Sequence, residues 1–277
     1  MKKILFPTDF SDTATNAFVH ALEFAKKVNG EIVLLHTFNL PIYDNQFFPE
    51  NYALIYESLE LSQFEMFKNE IPKLRAIAEE RNLGSIKLSH RLLDGDLLPN
   101  IKKSIKDDAI DFVVMGTSGT TGWEAFFIGT NAGSVISGIN VPMLCVPIKA
   151  KFEKIKILGF TTRFRPKDKK ALKMVLKIAK KSNAKVKCLY VKTDESDVSA
   201  QTIAQWEEEF TAEPVDFYVV QNDDVEAVII DFVMYKEVDI LTMLTYKRGF
   251  FDSIFNPSLT KKIATHNEIP ILAIPIE

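Results

Sequence analysis

The amino-acid sequence is written twice, and this repetition limits the folds open to it more than any other feature. "KKILFPTDFSDTATNAFVHALEFAKKVNGEIVLLHTF" from Lys2 is answered by "KIKILGFTTRFRPKDKKALKMVLKIAKKSNAKVKCLYV" from Lys154. Each copy has a short apolar run, a polar turn, a helix-period segment ending in Ala-Lys-Lys, and a β-rich run. The closing "VPMLCVP" of residues 141–147 returns as "IPILAIP" at 269–275, an offset of 128 that also carries Met115 onto Met243. Two homologous domains, 1–149 and 150–277, are expected.

Within each half, strand alternates with helix. Apolar runs at 4–6, 32–36, 86–92, 112–115 and 143–146 are separated by helical segments at 13–28, 51–81, 97–106 and 131–138. The second half repeats the rhythm, with strands at 155–159, 186–191, 217–220, 240–243 and 271–274 and a much shorter second helix at 199–210. Runs that do not alternate with polar residues suit strands buried on both faces, as in a parallel sheet. The expected class is α/β, two tandem doubly wound domains, each a five-stranded parallel sheet with helices on both faces.

The net charge of −3 gives no reason to expect a nucleic-acid or membrane surface. The lysine runs at 167–170 and 180–181 read as solvated helix faces. Cys145 and Cys188 each sit inside an apolar run, far apart, in neither a disulfide nor a metal pattern. Only a three-residue apolar core, 4–6, stands before Pro7, too short for a signal peptide, and no run approaches the roughly 20 residues of a membrane span. A cytoplasmic setting is the expectation.

In an open parallel sheet, ligands bind at the carboxyl ends of the strands, where strand order reverses. Three segments of the first half fall at such ends: "PTDFS", "HTFN", and the stretch "MGTSGTTGWEAFFIGTNAGSVIS" of residues 115–137. That last stretch holds five of the chain's 11 glycines. It contains neither a Walker A loop nor a G-x-G-x-x-G fingerprint. What it contains is Gly116-x-x-Gly119, nine residues, then Gly129-Thr130 ahead of a helix start. Free N–H groups at a helix start hold anions, and a threonine there either donates to a phosphate oxygen or caps the helix. On the residues alone, a phosphate cradle and a plain strand-to-helix turn both remain open.

These residues resemble the universal stress protein family, here as a tandem of two such domains. Its ATP-binding members share G-x-x-G, nine residues, then G-[ST], matched by Gly116, Gly119, Gly129 and Thr130 after "DFVVMG". The opening "ILFPTDFS", the "VLLHTF" strand and the "VPMLCVP" strand match as well, and the likeness covers essentially the whole chain. It implies the adenine-nucleotide alpha-hydrolase-like fold and a bound ATP, ADP or AMP, with Mg²⁺ as a companion of the phosphates. It implies that Asp9 meets the ribose or adenine, with Pro7 and Thr8 lining the same pocket. Thr37 would pack by the adenine through its backbone, and Met115 and Gly116 would flank the ribose. Gly119, Gly129, Thr130 and Asn131 would hold the phosphates; Asn131 departs from the Val often found in archaeal members. The plainer alternative for Asp9, a helix-cap carboxylate ahead of Ser11, stands beside this role.

In the second half, the offset of 128 turns Gly116 into Leu244, Gly119 into Lys247, Gly129 into Pro257 and Thr130 into Ser258. In "GFTTRF", Asp9 is matched by Thr162. Side chains replace bare backbone and proline removes an N–H, so no nucleotide site of this design is expected there. The four histidines share no metal-ligand spacing. Trp123, Phe126 and Phe127 either lid the nucleotide or anchor the loop. The expected function is a nucleotide-responsive stress or signalling regulator. A slow ATPase or self-phosphorylating enzyme and a ligand-free scaffold are the alternatives; Glu124 is the lone acidic candidate near a γ-phosphate. The resemblance also implies that the closing segments 142–147 and 270–275 pair antiparallel as an intramolecular pseudo-dimer, and a homodimer is compatible with that.

Overall fold

In the computed structural model, which describes residues 1–39, 49–117, 130–246 and 269–276, the chain divides into two compact units, Met1–Met115 and Gly116–Glu277. The first unit runs β1 (Lys2–Pro7), α1 (Asp12–Val28), β2 (Gly30–Phe38), α2 (Pro49–Glu80), β3 (Leu88–Asp94), α3 (Leu97–Asp107) and β4 (Phe112–Thr117), the last strand ending two residues past the boundary. The strands lie in the order β3-β2-β1-β4, all parallel. Residues 4–7 of β1 and 30–36 of β2 are buried without a break. Successive side chains of a strand point to opposite faces, so both faces of these central strands are covered.

The helices begin and end where local chemistry requires. Ser11 caps α1 by accepting from the Ala14 N–H, Asp12 sits in its first turn, and Lys26 and Lys27 in its last. Asn29, in the left-handed region at φ 54°, ends it. Its buried stripe of Ala14, Ala17, Phe18, Ala21, Leu22 and Ala25 packs on β1 and β2. Gly30 follows because a β-carbon there would stand 2.9 Å from the Lys2 carbonyl oxygen.

The second unit runs α4 (Thr130–Gly138), β5 (Met143–Pro147), β6 (Ile157–Thr161), α5 (Pro166–Ser182), β7 (Lys185–Lys192), α6 (Ala200–Glu209), β8 (Val215–Gln221), α7 (Val225–Tyr235), β9 (Ile240–Tyr246) and β10 (Ile271–Ile276). Strands β10-β9-β6-β7-β8 are neighbours in that order and parallel, the expected five of the second half. Strand β5, which closes the first half in sequence, pairs antiparallel with β10 through Cys145 with Ile271 and Leu144 with Leu272. The pairing expected of the closing segments is therefore present. Two strands begin later than expected, β3 at Leu88 and β6 at Ile157. Among the described residues no helix is long and apolar enough to cross a membrane.

The internal repeat extends to backbone detail. Left-handed Phe10 and Asn29 are matched by left-handed Phe164 and Asn183, an offset of 154, and α1 and α5 are both 17 residues long. Further on, left-handed Ala109 is matched by Glu237, an offset of 128. One knot recurs in both halves. The Lys3 N–H donates to the Asp111 carboxylate while the Asp111 N–H donates to the Lys3 carbonyl; Ile157 and Asp239 do the same. The offset falls between these landmarks because α2 has 32 residues and its counterpart α6 has 10.

This knot has a pH signature. Burial raises the Asp111 pKa, but the hydrogen bonds from the Lys2 ammonium and the Lys3 amide outweigh it, so the carboxyl is held below its usual value. Glu31 is likewise lowered, chiefly by its hydrogen bond from Lys87, against burial. A carboxylate with a lowered folded pKa contributes stability above its unfolded value of about 4 and loses it as pH falls through the folded value. The urea midpoint should therefore fall as pH is taken below about 4, and Asp111→Asn should make that fall shallower. An unchanged slope in the variant would remove Asp111 from the account.

Candidate functional site

Three of the expected segments end side by side. Strand β1 lies between β2 and β4, with Pro7 opposite Leu35 and Leu5 opposite Val113. This places Pro7, Thr8 and Asp9, then Thr37, then Met115 at the carboxyl ends of three adjacent parallel strands. The sequence of connections reverses direction at β1, the position where open sheets bind ligands. Gly116 and Thr117 complete β4. Gly119 and Gly129 lie outside the described residues, as do Trp123, Glu124, Phe126, Phe127, Lys247, Arg248, Pro257 and Ser258. Thr130 and Asn131 open α4 in the second unit.

The turn after β1 is built almost wholly from its own polar groups. The Thr8 N–H donates to the Leu35 carbonyl at 2.9 Å, and the Phe10 N–H donates to Thr8 Oγ1 at 3.0 Å. Asp9 Oδ1 accepts from the Ser11 N–H at 3.0 Å and from Ser11 Oγ at 2.6 Å, while Ser11 Oγ accepts from the Ala14 N–H. Asp9 is thus one step removed from the cap: it holds the serine that holds the helix. Pro7 and Thr8 are buried, Asp9 is exposed, and Thr37, Met115 and Gly116 are half-buried. Among the described residues, the Asp9 N–H has no acceptor and Asp9 Oδ2 no donor. An exposed donor and an exposed acceptor of one residue thus stand together at the strand ends. A third open group is Thr117 Oγ1, buried at the end of β4 with no partner among the described residues.

The second half shows what a closed version looks like, and it corrects one sequence match. The Thr162 N–H donates to the Leu189 carbonyl, and the Phe164 N–H to Thr162 Oγ1. These bonds place Thr162 opposite Thr8, so the residue matching Asp9 is Arg163, not Thr162. The charge is reversed where the first half has its open carboxylate. Asp168, fully buried in the first turn of α5, then fills the turn. Its Oδ2 accepts from Thr162 Oγ1 at 3.0 Å, the Arg163 N–H at 2.8 Å and the Arg165 N–H at 3.2 Å. The corresponding residue of the first half, at the offset of 154, is Ala14, which has no such reach. At the end of β9, Met243 matches Met115 but buried Leu244 replaces Gly116. Thr245, the counterpart of Thr117, donates its hydroxyl to the Ile274 carbonyl.

One residue of the site escapes a reading by spacing alone. His36 takes no part in a metal pattern, and no group of three His, Cys, Asp or Glu among the described residues is placed to hold an ion. Instead its Nδ1 lies 2.7 Å from the Thr8 carbonyl oxygen, directly behind the turn. The only signal for it in the sequence is its place before Thr37 at the end of β2.

Comparison with known proteins gives the family and the fold. A family model described as the universal stress protein family matches residues 1–147. One universal stress protein of Methanocaldococcus jannaschii is 30% identical over 145 residues, covering 52% of this chain and 81% of that protein. A second from the same organism is 29% identical over 158 residues, covering 53% of this chain and 96% of that protein. The crystal structure of a universal stress protein from Archaeoglobus fulgidus superposes with a TM-score of 0.71 over 99% of this chain and 96% of that one. At 18% identity, this last likeness is one of fold.

Proposed function

The chain belongs to the universal stress protein family, and from that membership we propose that its first domain, 1–149, binds one adenine nucleotide, ATP or AMP, and that this binding governs its behaviour as a stress or signalling regulator. The observation that carries the reading is the open turn after β1. Asp9 offers an N–H donor and a carboxylate oxygen at the end of the sheet, where a ribose hydroxyl or base edge needs such partners. Thr117 supports it with a buried hydroxyl at the end of β4 that has no partner among the described residues. Gly119 and Gly129, with Thr130 and Asn131 at the start of α4, would take the phosphates through backbone N–H groups, and Gly116 would flank the ribose. Pro7, Thr8, Thr37 and Met115 would line the base and ribose.

The second domain, 150–277, is the domain without a nucleotide. There Arg163 replaces the carboxylate, Leu244 replaces the first glycine, and Asp168 already satisfies the amides of the turn. The role left to it is structural or that of a partner surface. Calorimetric titration of ATP with Mg²⁺ into the whole chain should give one site per chain. Two sites would mean that the second domain binds too, and none would leave the glycines as turn formers in a ligand-free scaffold.

A further inference from the structure

The two halves build one turn by different means, and the difference identifies a residue. In both, a phenylalanine sits in the left-handed region, Phe10 at φ 60° and Phe164 at φ 55°. A bulky side chain is strained there, so the surroundings must hold it. The Phe10 ring rests 5.1 Å from the His36 ring and 5.9 Å from Phe67; the Phe164 ring rests 5.2 Å from Tyr190 and 5.0 Å from Trp206. His36 and Tyr190 are counterparts at the offset of 154.

Their hydrogen bonds differ. In the second half the turn is secured from the front: Asp168 gathers two of its amides and the Thr162 hydroxyl, and Tyr190 makes no bond to the Thr162 carbonyl. In the first half the Ser11 N–H is taken by Asp9 Oδ1, and among the described residues no side chain accepts from the Asp9 N–H. His36, itself buried, holds the turn from behind through the Thr8 carbonyl. A carbonyl only accepts, so Nδ1 carries the hydrogen. With that bond, all three polar groups of Thr8 are fixed: the N–H to Leu35, the hydroxyl to Phe10, and the carbonyl to His36.

We propose that His36 is the positioning residue of the nucleotide site: by donating Nδ1–H to the Thr8 carbonyl, it holds the Thr8–Asp9 peptide so that the Asp9 N–H and carboxylate face the ligand. The assignment rests on the nucleotide reading above and adds to it the reason why the first half can leave its turn open. His36 touches no ligand; it acts through Thr8.

Two variants separate the hydrogen bond from the ring. His36→Phe keeps a planar ring against Phe10 and Phe67 but has no donor. His36→Asn loses the ring but places an amide Nδ2 where Nδ1 stood. Amide hydrogen exchange over residues 8–11 in the ligand-free protein reads the turn itself, with residues 162–165 of the same molecule as the reference. ATP titration reads the consequence. Loss of one buried hydrogen bond should raise exchange in residues 8–11 of His36→Phe about tenfold and weaken ATP binding by about the same factor, with 162–165 unmoved. His36→Asn should recover most of both. The reverse order, a silent His36→Phe and a damaged His36→Asn, would show that the ring only fills space and would overturn the proposal. Failure of the unmodified protein to bind ATP would overturn the nucleotide reading instead, and the exchange data, taken without ligand, keep the two failures apart.

Discussion

Asp168→Ala should cost the second unit about 3 kcal/mol of folding stability, a large loss for a single polar side chain. The carboxylate is fully buried and accepts from the Thr162 hydroxyl and the Arg163 and Arg165 amides. Removing it leaves three donors without an acceptor, and each such group costs about 1–3 kcal/mol where water cannot replace the partner. Water reaches the half-exposed amides in part, which keeps the total near the lower end. Asp168→Asn retains an accepting oxygen and gives up the charge, so its loss should be about half as large. Urea unfolding monitored at Trp206, buried 5.0 Å from Phe164, reads the right unit. A loss below about 1 kcal/mol for the alanine variant would mean that the turn finds other acceptors. Because Ala14 stands at this place in the first half, the variant also tests whether a turn of this kind needs its front-side carboxylate when no histidine supports it from behind.

Gly129→Pro should abolish nucleotide binding while leaving the fold intact. The substitution copies Pro257, the second half's own residue, and Gly129 lies outside the described residues, so the argument is chemical. Proline deletes one N–H donor and fixes φ near −65°, which denies the backbone its close approach to a phosphate. Loss of a charge-assisted hydrogen bond together with misplacement of its neighbours should weaken binding by about 100-fold or more. The thermal midpoint of the ligand-free protein should stay within about 2 °C, because proline just ahead of a helix is well tolerated. Retained binding would move the anion cradle away from the glycine pair.

Much of this architecture was legible because buried parallel strands write themselves as apolar runs and the repeat wrote each of them twice. The order of elements, the long α2 against the short α6 and the three strand ends at the site follow from that pattern. Register did not follow. Matching "ILF" with "ILG" sets Asp9 against Thr162, whereas the hydrogen bonds set Ile4 at the place of Leu158 and Asp9 against Arg163. Apolar residues on a doubly covered strand are nearly interchangeable, so such a string cannot fix register to one residue. Gly159 adds to the confusion for a local reason: a β-carbon there would come within 2.9 Å of Val238 Cγ1. His36 was hidden for another reason. Its partner is 28 residues away in sequence, and no spacing rule describes a side chain that serves one carbonyl.

The antiparallel pairing of β5 with β10 makes an association that separate single-repeat chains would have to achieve by collision into a first-order event. Tethered partners meet at a local concentration fixed by the length of the connecting chain, so the contact is insensitive to how much protein a cell contains. Dilution, which would drive free subunits apart, has no purchase here. Separating β5 from β10 would bare two apolar strand edges, each a template for unwanted pairing.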